Sequence, residues 1–366
     1  MNISDSESHL LRVMIAGGGT GGHVYPGIAI AKEIKRRNPH AELLFVGTDR
    51  GLEGKLVPQE GFPLRTITVS GLKGVGALKG LVGLLNIPRS LWESLKIVRQ
   101  FQPHVVVGVG GYSSGPPVLM AALRGIPTLL QEQNAQPGLA NRWLSYFCSR
   151  VATAFRECER FFGKKSVLTG NPVRAEFRRT EAKADSGTFV LLIFGGSQGA
   201  QALNNAMLEA LKCLQPSFAK MFFVHQTGQK DYERVAKAYQ ALGARSDVRP
   251  FFTDMPDQFC RADLLLCRSG ATTLAEITVA GKAAILVPFP DATDNHQQRN
   301  AESLVKAEAA EMILQRDLAG DTLAAKIEYY AHHPETLRQM EKNSLALGRP
   351  DSTELIVDLL EELAHV

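Results

Sequence analysis

The chain has 366 residues, of which 45% are hydrophobic and 21% charged, and its formal net charge at pH 7 is +4. These values are ordinary for a globular protein of two or three domains. The basic residues form no long run, so we expect no nucleic-acid partner. The five cysteines form no CxxC pair, and no apolar stretch resembles a signal peptide or a transmembrane helix.

The first predicted strand, Leu10 to Ala16, leads directly into the glycine-rich sequence GGGTGGHVYPG. Gly17, Gly19 and Gly22 match the pattern GxGxxG, and a helix is predicted to follow from Pro26 to Arg37. Glycines between a strand and a helix let the backbone approach a phosphate closely. The pattern therefore predicts a phosphate-cradling loop.

The same pattern is also the fingerprint of dinucleotide-binding domains. Such a domain needs an acid at the end of its second strand. That strand is predicted from Glu42 to Val46, and the nearest acid, Asp49, comes late. An NAD-dependent oxidoreductase is therefore only a remote alternative.

His23 closes the glycine loop just before the predicted helix. Its ordinary pKa of about 6.5 suits proton transfer near neutral pH. Two interpretations stay open at this point. His23 is either a catalytic base beside a bound ligand or a side chain that only caps the turn.

The segment from Gly71 to Ile87 is rich in glycine and apolar residues and contains Lys73 and Lys79, with no acid before Glu93. A basic apolar segment of this kind can lie on an anionic membrane surface. The alternative is a buried crossover helix.

Two later strands of the first half end in polar or glycine-rich sequence. The strand from Gln102 to Val109 leads to GGYSSGPP, and the strand from Ile126 to Leu130 leads to QEQNAQPGLANRWLS. Asn134 and Asn141 flank a turn in the second of these segments. The carboxyl ends of parallel strands share one edge of a sheet, so these groups are expected to point into the same crevice.

After a polar linker at residues 171–187, the second half of the chain repeats the order of predicted elements found in the first half. Phe189 to Phe194 is a predicted strand, GGSQGAQALN is a glycine-rich turn that opens a helix, and Met221 to His225 is the next strand. The predicted fold class is therefore α/β, with two doubly wound Rossmann-like domains facing each other across a cleft.

Residues 262–300 are predicted to form a strand, a turn of small residues, a short helix and a second strand. Ala262 to Cys267 is apolar, and Thr272 and Thr273 can cap a helix that runs to Ala280. A helix N-terminus offers unpaired N–H groups and partial positive charge, which suit a phosphate.

Glu276 lies about one turn into this predicted helix. A carboxylate in that position can accept hydrogen bonds from both hydroxyls of a ribose. The alternative is an acid that only interacts favourably with the helix dipole.

Several motifs are absent from the sequence. It contains no GxxxxGK(S/T), no HExxH and no Asp-x-Asp pair, which argues against a P-loop and against a metal on a diphosphate. Helix N-termini and arginines such as Arg174 and Arg268 would then neutralise a leaving group. The residues alone predict a two-domain enzyme that uses a nucleoside diphosphate without a metal or other cofactor.

Seven sequence blocks, in chain order, resemble the MurG family of peptidoglycan N-acetylglucosaminyltransferases. They are GGGTGGHVYPGIAIA, GVGGYSSGPP, EQNAQPGLANRWL, GNPVR, FGGSQGAQALN, CRSGATTLAEI and DNHQQRNA. The resemblance extends over essentially the whole chain from Val13. It implies the GT-B fold, with residues 1–170 and a C-terminal helix at 347–366 forming an acceptor- and membrane-facing domain. Residues 171–346 would then bind the UDP-sugar.

The resemblance also implies roles for single positions. His23 matches a histidine proposed to act in catalysis, and Glu276 matches the ribose acid. Phe252 carries over only a backbone role toward uracil, and Gln298 stays an alternative to Gln297. The matched substrate-binding positions are Thr20, Gly21, Gly22, Asn134, Arg174, Ser197, Phe252, Ala271, Thr272, Thr273, Leu274, Ala275, Glu276 and Gln297.

The implied reaction is transfer of N-acetylglucosamine from UDP-N-acetylglucosamine to the C4 hydroxyl of the muramyl sugar of lipid I, a polyprenyl diphosphate. The product is lipid II. An α-linked donor and a β-1,4 product require inversion, hence one displacement and one general base. The implied location is peripheral, at the cytoplasmic face of the bacterial inner membrane. A UDP-N-acetylglucosamine 2-epimerase shares the fold and is the alternative, but the basic apolar segment favours a lipid-linked acceptor.

Overall fold

A computed structural model describes residues 10–49, 51–69, 86–178 and 187–365 of the chain. These residues form two compact units. The chain leaves the first unit after Pro172 and returns to it at Asp351. The basic apolar segment predicted at 71–87 lies outside the described residues except for its last two positions, and so do residues 179–186 of the predicted linker.

Seven parallel strands form the sheet of the first unit as described. They are β1 (Arg12–Ala16), β2 (Glu42–Gly47), β3 (Leu64–Thr66), β4 (Val105–Gly108), β5 (Thr128–Glu132), β6 (Arg150–Thr153) and β7 (Ser166–Leu168). Their order across the sheet is β3-β2-β1-β4-β5-β6-β7.

Helices connect these strands. They are α1 (Gly21–Arg37), α2 (Glu53–Gln59), α3 (Ile87–Phe101), α4 (Gly115–Leu123), α5 (Leu139–Leu144) and α6 (Glu159–Phe162). Short 3-10 turns lie at Arg156–Cys158 and Gly163–Lys165.

Six parallel strands form the sheet of the second unit as described, in the order β10-β9-β8-β11-β12-β13. They are β8 (Phe189–Phe194), β9 (Met221–Gln226), β10 (Ser246–Arg249), β11 (Leu264–Cys267), β12 (Ala284–Leu286) and β13 (Glu311–Met312). The helices are α7 (Gln201–Leu214), α8 (Tyr232–Leu242), α9 (Met255–Arg261), α10 (Ala271–Val279), α11 (His296–Lys306), α12 (Gly320–His332) and α13 (Pro334–Leu347). The 3-10 turns are Ala175–Arg178, Gln215–Lys220, Thr293–Asn295 and Gln315–Asp317.

The chain then returns to the first unit with α14 (Ser352–Ala364). Ile356 and Leu360 of this helix are buried against α1. Arg37 of α1 also pairs with Asp358 at 2.6 Å and with Glu361 at 2.9 Å. Both apolar burial and charge therefore attach the last helix to the first unit.

Both faces of the first sheet are covered, which explains why its strands read as continuous apolar runs. Successive side chains of a strand point to opposite faces. Val13 and Ile15 pack with α1 and α14, whereas Met14 and Ala16 pack with α3, α4 and α5.

The prediction of Rossmann-like α/β domains is confirmed for each unit. No described helix is both long enough and apolar enough to span a membrane.

Candidate active site

Each unit has a point at which the order of its strands reverses. In the first unit the reversal lies between β1 and β4, and in the second it lies between β8 and β11. Open parallel sheets bind ligands beside the carboxyl ends of the strands at such a point. The loops that follow these four strands therefore form a candidate site in each unit.

The first glycine loop uses its backbone donors within the first unit. The N–H groups of Gly17, Gly18 and Gly19 donate to Val46 O at 3.0 Å, to Gly110 O at 3.3 Å and to Glu53 Oε2 at 2.7 Å. The expectation that this loop cradles a phosphate is wrong for these donors, because each already has a protein acceptor.

The helix that follows begins earlier than predicted. It was expected at Pro26, but α1 begins at Gly21, with Thr20 in the N-cap position. His23 N donates to Thr20 O at 3.1 Å, and this bond closes the first turn despite the low helix propensity of glycine. Gly21 and Gly22 thus lie at a helix N-terminus, where an anion is favoured.

The His23 ring is half-buried and has two contacts that orient it. Its Nδ1 lies 3.2 Å from Thr20 Oγ1. The ring also packs on Gly110 so closely that a Cβ at that position would lie 2.6 Å from His23 Cδ2. Both glycine-rich loops of the first unit therefore determine where the imidazole lies.

Glu53 is a site residue that the sequence pattern does not reveal. Its carboxylate accepts hydrogen bonds from Gly19 N at 2.7 Å, Thr48 N at 2.9 Å and Thr48 Oγ1 at 2.8 Å. Burial raises the pKa of Glu53, but these donors outweigh burial and lower the pKa below its ordinary value. Glu53 lies on α2 rather than at the end of the second strand, and its carboxylate already has three protein donors, so it does not supply the ribose-binding acid of a dinucleotide site.

A second buried carboxylate, Glu132, organises the loop after β5. It accepts hydrogen bonds from Asn134 N at 3.0 Å, Asn141 Nδ2 at 2.8 Å and Gly138 N at 3.3 Å. Burial raises the pKa of Glu132. Asn141 lies inside α5 and is buried, whereas Asn134 is half-buried in the loop. Asn141 thus holds Glu132 from the core side, and the binding role of Asn134 stays a prediction.

The glycine loop after β8 differs from its counterpart in the first unit. Gly199 and Gly228 have positive φ angles of 75° and 77°. Their backbones meet so closely that a Cβ on Gly199 would lie 1.9 Å from Thr227 O. Within the described part of the chain, the N–H groups of Ser197 and Gln198 have no protein acceptor. Both residues are exposed, and exposed backbone donors suit an anion.

Gln226, at the end of β9, joins this loop to Phe252. Its Nε2 donates to Gly196 O at 2.9 Å, and its Oε1 accepts from Phe252 N at 2.9 Å. Both Gln226 and Phe252 are buried. The amide of Gln226 therefore fixes the position of the Phe252 backbone relative to the glycine loop.

Helix α10 begins at Ala271 and has Gly270 at its N-cap, with no side-chain cap. The prediction that Thr272 and Thr273 cap this helix is wrong, because both residues lie inside its first turn. Leu274 is 1% exposed, so its side chain belongs to the core. A helix N-terminus without a side-chain cap therefore follows β11 directly.

Glu276 lies on the second turn of α10 and pairs with Arg174, whose NH2 is 3.1 Å from Glu276 Oε1. The Glu276 side chain is 13% exposed and that of Arg174 is 51% exposed. Burial raises the pKa of Glu276 to about 6, although Arg174 opposes the shift. A buried carboxylate that titrates near neutral pH is a common property of functional sites.

Arg268 does not serve as the phosphate ligand that the sequence suggested. Its guanidinium donates to Val287 O and Pro288 O, each at 3.1 Å, and to Gln315 Oε1 at 2.6 Å. That prediction is wrong, because the guanidinium holds the end of β12 in place.

The loop after β12 brings Gln297 to the end of β11. Ser269 Oγ donates to Gln297 O at 2.9 Å, and Phe289 N donates to Gln297 Oε1 at 3.0 Å. The side chain of Gln298 instead donates to Glu302 Oε1 at 3.0 Å. Gln297, rather than Gln298, is therefore attached to the strand end that carries α10.

Two family models match the chain. The glycosyltransferase family 28 N-terminal domain matches residues 13–153, and the glycosyltransferase family 28 C-terminal domain matches residues 190–356.

The chain is 51% identical over 360 residues to a protein of Anaeromyxobacter sp. (strain Fw109-5). That protein is named UDP-N-acetylglucosamine--N-acetylmuramyl-(pentapeptide) pyrophosphoryl-undecaprenol N-acetylglucosamine transferase, and the match covers 97% of this chain and 94% of the relative. The crystal structure of Acinetobacter baumannii MurG superposes with a TM-score of 0.80 at 30% identity, covering 96% of this chain and 99% of that one.

The Neisseria meningitidis UDP-GlcNAc 2-epimerase bound to UDP-GlcNAc is a more distant neighbour. It has a TM-score of 0.66 and 14% identity, and the match covers 96% of this chain and 99% of that one. This likeness shows the fold alone. The two domain models and the close relatives together decide the assignment: the chain belongs to the MurG family of the family 28 glycosyltransferases.

Proposed function

We propose that this glycosyltransferase moves N-acetylglucosamine from UDP-N-acetylglucosamine to the C4 hydroxyl of the muramyl sugar of lipid I, forming lipid II. The observation that carries the proposal is the nearly buried carboxylate of Glu276, which pairs with Arg174 at 3.1 Å. It lies on the second turn of α10, which follows β11 where the strand order of the second unit reverses. The identities of the donor and the acceptor in this proposal follow from the family to which the chain belongs.

The donor occupies the second unit. The backbone donors of Ser197 and Gln198 and the first turn of α10 receive the diphosphate. Glu276 accepts the ribose hydroxyls, and Gln297 contacts the transferred sugar. Phe252 N–H is already bonded to Gln226, so the backbone group that meets uracil is the Phe252 carbonyl.

Arg174 changes partner when the donor binds. In the free protein it neutralises Glu276 while half of its side chain remains exposed. A ribose hydroxyl pair replaces it on the carboxylate, and the guanidinium then turns to a diphosphate oxygen. This exchange leaves the buried carboxylate of Glu276 with hydrogen-bond partners in both the free and the bound protein.

His23 of the first unit is the general base. Its Nε2 accepts the proton of the acceptor C4 hydroxyl while O4 forms a bond to C1 of the donor sugar. The bond between C1 and the diphosphate oxygen breaks on the opposite face, and UDP leaves with that electron pair. Thr20 orients the imidazole through Nδ1, and Asn134, Gly21 and Gly22 border the reacting sugars.

The enzyme works as a peripheral protein at the cytoplasmic face of the bacterial inner membrane. Support comes from the helix layer of α3, α4 and α5 in the first unit, which leaves large apolar side chains in solvent. Trp92 is 64% exposed, Trp143 69% and Tyr146 77%. Lys96 lies 5.8 Å from the Trp92 ring centre. Aromatic and basic side chains together suit an anionic lipid surface.

Calorimetric titration tests the donor assignment. The ligands are UDP, UDP-N-acetylglucosamine, UDP-glucose, ADP and NAD, all in the presence of EDTA. Binding confined to the uridine ligands supports the proposal, because neither the glycine loops nor α10 requires a metal to hold the diphosphate. Binding of NAD without a response to UDP contradicts it.

An epimerase acts on UDP-N-acetylglucosamine without an acceptor, and this difference distinguishes it from a transferase. Incubation of the enzyme with UDP-N-acetylglucosamine alone is expected to leave the donor unchanged. Appearance of the 2-epimer in that mixture would favour the epimerase alternative.

A further inference from the structure

Glu53 is a buried carboxylate with neutral partners. It is the first residue of α2 and 1% exposed. Its three acceptor contacts are with the backbone and hydroxyl of Thr48 and with the backbone of Gly19. A carboxylate taken out of water needs strong compensation, so each of these hydrogen bonds is costly to lose.

The space around this carboxylate is lined by backbone. A Cβ at Gly18 would lie 2.2 Å from Glu53 Cδ, a Cβ at Gly47 would lie 2.6 Å from Cγ, and a Cβ at Gly51 would lie 2.0 Å from Oε2. Three glycines, one on the first loop and two beside α2, therefore admit this side chain. Phosphate binding does not explain Gly18, because its N–H already donates to Gly110 O.

A series of contacts links Glu53 to His23, the proposed general base. Gly19, which Glu53 holds at 2.7 Å, directly precedes Thr20. Thr20 caps α1 and lies 3.2 Å from His23 Nδ1. On the other side, Gly18 N donates to Gly110 O, and Gly110 packs against the His23 ring. A shift of the loop at Gly18 and Gly19 would therefore move both contacts of the imidazole.

We infer that Glu53 is a positioning residue, which fixes the loop at Gly18 and Gly19 and thereby sets the place and orientation of His23 for proton transfer. The inference deepens the proposed function and rests on it for the role of His23. Glu53 itself touches no substrate.

The test is Glu53→Gln, which keeps the shape but removes one acceptor atom. An amide NH2 then faces either Gly19 N–H or the donors of Thr48, so the loop must shift. We expect kcat for transfer to fall about 100-fold, as for a displacement of roughly 1 Å in a catalytic group. The affinity for UDP should stay within about twofold, because the proposed contacts of UDP lie in the second unit.

Glu42→Gln is the matched control. Glu42 is the exposed first residue of β2, so the same change of charge occurs in the same unit without the buried contact. The control is expected to keep wild-type kcat. The NMR titration of the His23 imidazole is a second readout, and Glu53→Gln should alter its pKa or tautomer while Glu42→Gln leaves both unchanged.

A folded Glu53→Gln protein with wild-type kcat and a wild-type His23 titration overturns the inference. A wild-type enzyme that transfers no N-acetylglucosamine overturns the proposed function instead. If Glu53→Gln does not fold, Thr48→Val decides, since it removes only one hydrogen bond to the carboxylate. A drop in kcat of about fivefold at unchanged UDP affinity then supports the inference, and wild-type kcat contradicts it.

Discussion

At Glu276, ligand binding and protein stability have opposite requirements. Its carboxylate is mostly buried and paired with an arginine that can leave. Burial raises its pKa to about 6, so the ionised form, which we propose accepts the ribose hydroxyls, prevails at neutral pH and is lost on mild acidification. Ligand affinity and protein stability should therefore respond to pH in opposite ways at this residue.

The affinity for UDP should depend on the ionisation of Glu276. Wild-type affinity is expected to weaken as the pH falls from 7.5 to 5.5, through the pKa of about 6. Glu276→Gln should bind UDP roughly 10- to 100-fold more weakly at pH 7.5, since it loses a charged acceptor, and its affinity should change less with pH. Calorimetry at both pH values measures this, with the exposed Glu233→Gln as control. Equal UDP affinity of Glu276→Gln and wild type would refute the ribose assignment.

The same substitution should stabilise the free enzyme. The folded pKa of about 6 exceeds the ordinary 4.5. The folded chain therefore binds more protons than the unfolded chain between these values and loses stability as the pH rises through them. Glu276→Gln should recover up to about 2 kcal/mol at pH 7.5 and little near pH 4.5. The measurement is the midpoint of thermal unfolding of the free enzyme. The transition to follow is the one whose midpoint shifts when UDP is added, because that transition reports the second unit. A lower midpoint for the variant at pH 7.5 would contradict this account.

At the scale of elements, the two glycine loops look alike in sequence but serve different purposes. The loop after β1 donates its N–H groups to Val46, Gly110 and Glu53 and so acts as a packing element. In the loop after β8, Ser197 and Gln198 are exposed, and their N–H groups have no protein acceptor in the described part of the chain. The difference explains why we place the diphosphate in the second unit, although only the loop of the first unit matches the pattern GxGxxG.

Gly199→Ala tests the second loop. The added Cβ would overlap Thr227 O, and the residue has a φ of 75°, which an L side chain rarely adopts. We expect UDP affinity to fall at least tenfold, and stability to drop by about 1–3 kcal/mol from backbone strain. Gly115→Ala is the control, since a Cβ there meets open space at the start of α4. Wild-type UDP affinity in Gly199→Ala would mean that the loop does not hold the diphosphate.

Strand positions and glycine loops could be predicted from sequence, because apolar runs and turn residues are local signals. The sequence also placed Glu276 on a short helix after β11. It could not show that α1 begins at Gly21, since helix propensity disfavours the glycines there. Thr20 in the N-cap position and the contacts of the loop outweigh that preference.

The buried polar groups were not predictable. Glu53, Glu132 and Gln226 act through hydrogen bonds to residues up to 34 positions away in the chain. No spacing rule connects such partners. The opposite error concerns Arg268, a basic residue whose place near a small-residue turn suggested a phosphate ligand. Its guanidinium instead donates to two backbone carbonyls just after β12.

At the scale of the whole molecule, the exposed aromatic side chains of α3 and α5 predict how the enzyme meets its lipid substrate. The double variant Trp143→Ser and Tyr146→Ser should bind vesicles containing phosphatidylglycerol roughly tenfold more weakly, because it loses apolar area that the lipid would bury. Transfer to a water-soluble acceptor should be unchanged. Tyr329→Ser, also exposed but in the second unit, is the control. Equal vesicle binding by the double variant would place the membrane contact elsewhere.

The most direct test of the central claim is transfer itself. Purified enzyme is incubated with UDP-N-acetylglucosamine, a lipid I analogue and EDTA, and the product linkage is determined by NMR. The account predicts a β-1,4-linked disaccharide, one UDP released per disaccharide, and no change in the donor when the acceptor is omitted. An α-linked product, or turnover of the donor in the absence of lipid I, would contradict it.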